Sequence, residues 1–261
     1  MELSLEIASY SIELLSLLFL VAVVAGLLDT LAGGGGLIAL PALILSGVPP
    51  LAALGTNKLQ GSMGTATATY MMIKHKRITL AQIKYLMLSA FIGAMFGTIV
   101  IQFINTELLS FVIPVVLLII AVYFLFSPMP TESHAESKIS EKNYRNIVVP
   151  FIGFYDGMFG PGTGSFFSAS GVYCRGHGLI KATAIAKPLN FSTNIASLMV
   201  FLLAGKIVWV IGLLMVLGQA IGAWLGSHFL YRINPTYLRG IVVLMCTGML
   251  IKYAHSMEWL M

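Results

Sequence analysis

The chain has 261 residues, of which 58% are hydrophobic and 10% are charged, and its formal net charge is +5. Soluble proteins carry about 25% charged residues, so this composition excludes a soluble protein. The apolar runs do not alternate with polar residues, which excludes a β-barrel. The cations are scattered through short loops, as is typical of cytoplasmic loops, and this argues against nucleic-acid binding. The composition predicts an all-α polytopic membrane protein.

The first half of the chain contains several segments that reach the roughly 20 predominantly apolar residues of a membrane span. It opens with Ile7 to Leu31, which is long enough to span alone, and a short helix from Leu37 to Leu45 follows a run of glycines. The fuller spans that come next are Leu51 to Ile73, Leu86 to Ile104 and Leu108 to Ser127.

A polar stretch at residues 128–146 divides the chain and is predicted to be a cytoplasmic linker between a first transmembrane repeat, 1–127, and a second, 147–261. The second repeat opens with two short apolar segments, Ile147 to Phe159 and Ser165 to Cys174. At 1.5 Å per residue they measure about 20 and about 15 Å, too short for a hydrocarbon core of about 30 Å. They form either one interrupted span or a hairpin. Three segments follow: Thr183 to Ala204, Ile207 to Leu230 and Tyr237 to Ile251.

Asp29 and Asp156 are the two aspartates of the chain, and each precedes a glycine cluster inside an apolar segment. An acidic side chain in lipid is costly and marks function, and glycines there interrupt a helix. The two regions match residue by residue, which indicates an internal duplication. The matched pairs, 127 or 129 residues apart, are Gly26 and Gly153, Asp29 and Asp156, Gly33 and Gly160, Gly35 and Gly162, Lys58 and Lys187, Gly93 and Gly222, Ala94 and Ala223, and Gly97 and Gly226.

The loop charges indicate how the two repeats are oriented. If the broken element is a hairpin, the repeats are inverted and ten loop cations lie on one side, with only Lys206 and Lys252 on the other. If it spans, the repeats are parallel and the division is 8 to 4. Because cytoplasmic loops favour lysine and arginine, inversion is the better prediction. The ten cations are Lys74, Lys76, Arg77, Lys138, Lys142, Arg145, Arg175, Lys181, Arg232 and Arg239.

The glycine clusters lie where two short helices begin, and a helix N-terminus offers backbone N–H groups and partial positive charge to an anion. Interrupted helices at matched positions in two halves are the best sequence indication of a transporter's binding site. Glycines that merely allow close helix packing are the alternative. The predicted anion-binding backbone and hydroxyl groups belong to Gly33, Gly34, Gly35, Gly36, Gly160, Gly162, Thr163 and Gly164.

Lys58 and Lys187 strengthen the anion hypothesis, because an ammonium within a membrane helix needs a counter-charge, a polar cavity or a ligand. Neutral donors surround them and complete the predicted substrate site: Thr56, Asn57, Asn190 and Asn194. As an alternative, each lysine reaches to the interface or pairs with the aspartate of its own half.

Asp29 and Asp156 have three possible roles: capping the broken helices, carrying a coupling proton, or balancing the lysines. Capping ranks first because it is the commonest use of aspartate near a helix break. The five histidines show no metal spacing, no nucleophile has an evident histidine partner, and neither glycine cluster is a phosphate-binding loop. The sequence therefore predicts no metal site, no cofactor and no enzyme.

The duplicated Gly-x-x-Asp and glycine clusters, Pro41, the run Gly55-Thr56-Asn57-Lys58 and its second copy Ala184-Ile185-Ala186-Lys187 resemble the sulfite exporter TauE/SafE family of bacterial anion permeases. The resemblance covers nearly the whole chain. The second half departs from the first, because it has no proline matching Pro41 and Pro161 interrupts its glycine run.

The resemblance implies a multi-pass permease of the bacterial plasma (inner) membrane for small sulfur-containing or organic anions such as sulfite, sulfoacetate or related sulfonates. The expected mechanism is alternating access, with Lys58, Lys187 and the glycine amides binding the anion and Asp29 or Asp156 coupling transport to protons. A passive anion channel and a membrane assembly factor without transport activity are the alternatives. The partners implied are a small anion, the lipid bilayer and a possible second copy of the chain, with no nucleic acid.

Overall fold

The computed structural model describes residues 10–126, 136–229 and 235–257. Within these ranges the chain forms ten α-helices and one further helical turn of three residues, Glu141–Asn143. The same ranges contain no strand. The helices of the first half, α1 to α5, are Ile12–Ala32, Gly36–Leu45, Pro50–Lys74, Leu80–Gln102 and Thr106–Phe126. Those of the second half, α6 to α10, are Val149–Met158, Thr163–Arg175, Leu179–Leu203, Trp209–Phe229 and Pro235–Ser256.

Four of these helices, α1, α4, α5 and α9, are long and apolar enough to cross a membrane. Helices α3 and α8 have 25 residues each, about 37 Å at the α-helical rise, but carry more polar side chains. The prediction of an all-α polytopic membrane protein is therefore confirmed. Within the described residues, the predicted spans agree with the helices to within a few residues at most ends.

Local signals explain where the helices begin and end. The Ser11 hydroxyl accepts the Leu14 N–H at 3.2 Å and starts α1, and Gly33, at φ 75°, ends it in the left-handed conformation that glycine adopts freely. Pro50 is the first residue of α3, where its missing N–H is not needed. Thr79 and Gln82 form a capping box at the start of α4.

The segment before α6 is the clearest difference from the predicted linker, of which residues 128–135 lie outside the described residues. A turn at Glu141–Asn143 and a π-helical segment at Tyr144–Val148 lead without a break into α6, so the chain is already helical at residue 141. The Ser140 hydroxyl accepts the Asn143 N–H at 3.2 Å. This N-cap starts the helix in spite of the polar composition that marks a linker.

The opening of the second half is a helical hairpin. The backbone N–H groups of Lys138 and Ile139, just before the first helical turn, both donate to the Cys174 carbonyl at 3.1 Å, at the end of α7. Nearer the middle, the hydroxyls of Tyr144 and Ser170 share a hydrogen bond of 2.9 Å. The end of α7 therefore lies beside the residues that lead into α6.

Helices α1 and α9, from different halves, pack backbone to backbone and run in the same direction. A Cβ on Gly218 would meet the Phe19 carbonyl oxygen at 2.7 Å, one on Gly222 would meet that of Val23 at 2.0 Å, and one on Gly226 that of Leu27 at 2.9 Å. Small residues allow membrane helices to approach this closely.

Helices α4 and α6 repeat the same arrangement with the halves exchanged. A Cβ on Gly93 would lie 2.1 Å from the Pro150 carbonyl oxygen, and one on Gly97 would lie 2.0 Å from that of Phe154. The contacts advance together along both helices, so this pair also runs in the same direction. The two glycine rows matched by the duplication thus make two equivalent contacts between the halves.

Helices α3 and α8 cross in opposite directions between these two pairs. Gly55, near the start of α3, abuts Lys206, just after the end of α8, and the Asn194 amide donates to the Thr65 hydroxyl at 3.3 Å in the middle. Met72, near the end of α3, clusters with Ala184, near the start of α8. The polar middle sections of both helices therefore face each other in the interior.

We predict that Gly222→Ala destabilises the protein, because its methyl group would lie 2.0 Å from a backbone oxygen that can move only with all of α1. Overpacking of this kind costs about 1–3 kcal/mol or more. Thermal unfolding of the purified protein in detergent measures the effect. The matched control is Gly248→Ala in α10, where nothing lies within 4 Å of the added methyl group. Equal melting temperatures for the two variants would contradict the close approach.

Candidate functional site

A small polar cavity lies where α3 and α8 cross between the two glycine breaks. Its volume is about 30 Å³, which accommodates about one water molecule. We call it the central cavity. Its lining consists of charged, amide and hydroxyl side chains together with glycine backbone: Asp29, Gly36, Asn57, Lys58, Gly61, Thr65, Asp156, Gly160, Asn190, Asn194 and Gln219.

An ion pair between the halves borders the central cavity. The Lys58 Nζ lies 2.9 Å from the Asp156 Oδ2, and the two side chains are only 2% and 1% exposed. Neither charge would be tolerated alone at this depth, because removing an ion from water costs several kcal/mol unless a partner compensates it. Lys58 therefore pairs with the aspartate of the opposite half, whereas the alternative suggested by the sequence was the aspartate of its own half.

Asp156 also bridges the break between α6 and α7. Its Oδ1 accepts a hydrogen bond of 2.6 Å from the Thr163 hydroxyl, on the first residue of α7. Between them Gly160 and Gly162 have φ values of +95° and +82°, which are unfavourable for residues with a side chain. A Cβ on Gly160 would lie 3.1 Å from the Lys58 ammonium. The glycines thus let the chain turn while leaving room for the lysine.

The matched lysine makes a related contact in the other half. The Lys187 ammonium donates to the backbone carbonyl of Asp29 and interacts electrostatically with the Asp29 carboxylate. The Asp29 side chain is partly exposed, and a Cβ on Gly35, across the break between α1 and α2, would lie 2.7 Å from the Asp29 Cβ. Because the C-terminus of a helix carries partial negative charge, Lys187 stabilises the end of α1. Each broken helix thus ends against a lysine from the opposite half.

The two breaks also touch each other. A Cβ on Gly33 would lie 2.5 Å from the Ser165 backbone nitrogen, and one on Gly36 would lie 3.2 Å from Pro161. The Ser165 hydroxyl donates to the Ala32 carbonyl at the end of α1. The irregular backbone is therefore buried between the halves, which is where a membrane protein tolerates it.

The predicted site residues fall into three groups. The central cavity brings together eight of them: Asp29, Gly36, Asn57, Lys58, Asp156, Gly160, Asn190 and Asn194. Five more hold the two breaks in place behind it: Gly33, Gly35, Thr163, Gly164 and Lys187. The other three point elsewhere: Gly34 and Gly162 contact apolar side chains, and the Thr56 hydroxyl accepts the Val208 N–H at 3.0 Å, outside the cavity.

Three lining residues were not in the predicted site. Gly61 and Thr65 follow Asn57 at spacings of four along α3, so helical periodicity could have identified them. Gln219 has Ala90 at its matched position 129 residues earlier, so the duplication gives no signal for it. It is 4% exposed, and its Oε1 has no hydrogen-bond partner among the described residues. Among the residues that the structure describes, no group of three or more His, Cys, Asp or Glu side chains is placed to hold a metal ion.

The architecture is that of a transport protein, with charged residues and broken helices meeting at the interface of two halves in a membrane-spanning fold. A family model described as sulfite exporter TauE/SafE matches residues 18–253. The chain belongs to this family. No solved structure matches the chain.

Relatives of this TauE/SafE protein are named as transporters. It is 40% identical over 248 residues to a probable membrane transporter protein of Haemophilus influenzae, covering 95% of the chain and 97% of the relative. It is 38% identical to the probable membrane transporter protein ORF9 of a Sinorhizobium species, covering 92% of both chains. The probable membrane transporter protein YfcA of Escherichia coli K12 is also 38% identical, covering 93% of this chain and 90% of the relative.

The family and these names establish a bacterial membrane transporter, not an enzyme. With four helices that can cross a membrane, the TauE/SafE protein is a multi-pass protein of the inner membrane. Transport of a small molecule is therefore its function at this level of description.

We predict that Lys58→Gln lowers the thermal stability strongly, because it leaves the Asp156 carboxylate buried without its cation. Breaking one side of a buried pair costs about 3–5 kcal/mol. The double variant Lys58→Gln with Asp156→Asn removes both charges and should recover most of that loss. Melting temperatures of the two single variants, the double variant and the parent form a double-mutant cycle. Strictly additive losses would contradict the ion pair.

Proposed function

We propose that this transporter is a permease for small sulfur-containing or organic anions, such as sulfite, sulfoacetate or related sulfonates, and that it works by alternating access. The observation that supports this proposal most is the Lys58–Asp156 pair on the wall of a buried polar cavity between the halves. In such a cavity an ammonium is the natural partner of an incoming anion. The anion would bind between Lys58 and the amides of Asn57, Asn190 and Asn194, in a state in which the cavity is wider than its present volume of about 30 Å³.

Charge balance supports a coupling proton. Lys58 and Lys187 contribute two positive charges around the two breaks, and Asp29 and Asp156 contribute two negative ones, so this group is neutral. An anion that enters would add an uncompensated negative charge at low dielectric, which is costly. A proton taken up by Asp156 restores neutrality and releases Lys58 to the anion. Asp156 is therefore the proposed coupling residue, and Asp29, beside Lys187, is the second candidate.

The two repeats are proposed to be inverted. The order of contacts supports this orientation, because α3 and its matched helix α8 run in opposite directions. Helix α1 runs with α9 and α6 runs with α4, as expected if the matched helices α1 and α6 are also opposed. With inversion the hairpin of α6 and α7 is re-entrant, and the ten predicted loop cations share the cytoplasmic side.

The two ends of the α3–α8 pair differ, and the difference supports alternating access. At one end Thr56 accepts the Val208 N–H, and Gly55 packs against Lys206. The matched positions at the other end are Ile185 and Thr79. There the Thr79 N–H donates to Gln82 at 3.4 Å instead, and a cavity of about 310 Å³ borders Ile185. One closed and one open end are what a single state of an inverted-repeat carrier presents.

A passive channel and an assembly factor are the competing functions. A channel needs a continuous polar path, whereas the central cavity holds about 30 Å³. A role as an assembly factor would not explain why each lysine contacts the aspartate of the opposite half beside a polar cavity. Counterflow, in which internal unlabelled anion accelerates uptake of labelled anion, separates a carrier from both.

We predict that purified protein in proteoliposomes takes up labelled sulfite or sulfoacetate, and that Lys58→Gln abolishes uptake because the anion loses its cation. The matched control is Lys252→Gln, which removes an exposed cation of α10. Asp156→Asn should still exchange anions but lose its response to an imposed pH gradient. The proposal is wrong if the parent protein moves none of these anions, or if Lys58→Gln transports them as Lys252→Gln does.

We predict that single cysteines at positions 75 and 177 react from the same side of the membrane and that one at position 206 reacts from the other. The background would carry Ser at Cys174 and Cys246. The substitutions are His75→Cys, His177→Cys and Lys206→Cys, each labelled in sealed vesicles with an impermeant maleimide. Inverted repeats require this result. Parallel repeats would place 75 and 206 together.

A further inference from the structure

A second, larger cavity lies away from the lysine–aspartate pair, and nothing in the site described above uses it. Its volume is about 310 Å³, within the range of ligand pockets. It lies between the turn that joins α3 to α4, the helical segment that begins at Glu141, the later part of α7 and the start of α8. We call it the vestibule. It lies at the open end of the α3–α8 pair.

The vestibule has a positively charged rim. Arg77, Arg175 and Lys181 line it, Glu141 is the one carboxylate in the lining, and His177 also borders it. With His177 neutral the formal charge of the lining is +2, from three cations and one anion. A concave surface lined by one sign of charge concentrates ions of the other sign. The rim therefore attracts anions.

One cation of this rim, Arg175, is held in place. The Arg175 guanidinium donates to the Ser137 hydroxyl at 2.7 Å and to the Ile139 carbonyl, both just before the helical segment that leads into α6. These bonds use Nη1, and a guanidinium has five N–H donors in all. A fixed planar guanidinium is suited to the oxygens of a carboxylate or sulfonate. Arg175 is thus preorganised for an anionic head group.

Apart from Gln82 and Tyr144, the rest of the wall is apolar, which an inorganic anion would not need. Ile78, Ile83, Leu86, Phe167 and Ile185 line it, and the Phe167 ring is 1% exposed. Phe167 lies one helical turn after Thr163 and Gly164, so it stands between the vestibule and the glycine break of α7. A charged rim over an apolar wall fits an anion that carries a short hydrocarbon chain.

We propose that the vestibule is a binding site for small organic anions, with a sulfonate or carboxylate head at Arg77, Arg175 and Lys181 and a short apolar chain against Ile185 and Phe167. The inference rests on the proposed function and deepens it, because it makes organic anions, rather than inorganic sulfite, the preferred substrates. The anion rests here on the cytoplasmic side, before or after it passes Phe167.

The ordinary excess of cations in cytoplasmic loops is the competing explanation for the rim. Under this explanation, cations that line the vestibule and other loop cations would affect anion binding equally. Lys138 and Lys142 lie near its edge but outside its lining. Replacing them removes the same charge from the same side of the membrane, so they provide the matched control.

The test measures binding of butanesulfonate to the purified full-length protein by isothermal titration calorimetry. Arg77→Gln with Lys181→Gln should weaken binding about tenfold, since charge-assisted hydrogen bonds are lost. Both side chains are exposed, so folding should persist. Lys138→Gln with Lys142→Gln should change the affinity by less than about twofold. Equal weakening by the two double variants would overturn the vestibule site.

A ligand series tests the apolar wall without any variant. The affinity should rise from methanesulfonate to butanesulfonate by about two- to fourfold per methylene, as burial of hydrocarbon requires. A flat series, or tighter binding of sulfite, would overturn the preference for organic anions. The double variant Lys58→Gln with Asp156→Asn, which should keep most of the parent's stability, separates this site from the proposed function, because it should abolish transport and leave butanesulfonate binding in the vestibule intact. Loss of binding in that variant would place the ligand at the central cavity instead.

Discussion

The exchanged contacts of Lys58 with Asp156 and of Lys187 with Asp29 are the interaction on which the rest of the structure depends. Charges at this depth require compensation, and neither half supplies it for itself. The exchange requires the two halves to meet face to face, with their breaks in contact. The glycine rows of α4 and α9 then allow the close approach that brings the partners within reach. Packing and electrostatics therefore impose the same arrangement.

Much of the fold could be predicted from the sequence, because apolar segments in a membrane must be helical and about 20 residues long. The break at Asp29 was located through its glycines, and Gly33 does terminate α1. The start of the helical segment at Glu141 was missed because its composition is polar. The Ser140 N-cap that starts this helix is a single residue, so it changes the composition of the segment very little.

The candidate site was predictable only in part, since duplication identifies residues that occur twice. It identifies Lys58 and Lys187, and Asp29 and Asp156, and all of these except Lys187 line the central cavity. It gives no signal for Gln219, which one half alone contributes. The duplication also does not distinguish Thr56 from its neighbour Asn57. The Thr56 hydroxyl bonds to the loop after α8, whereas Asn57 lines the cavity. That difference depends on the helix crossing, and the crossing is a property of the assembled halves.

The exchange of partners also imposes an order on how the protein is made. The first half enters the membrane with Asp29 and Lys58, and their partners, Lys187 and Asp156, are synthesised 158 and 98 residues later. Until then Asp29 and Lys58 lack the partners that they have in the complete fold. A chain that ends in the linker also lacks α9 and α6, against which α1 and α4 pack backbone to backbone. The contacts that join the halves thus form only after the second half has been made.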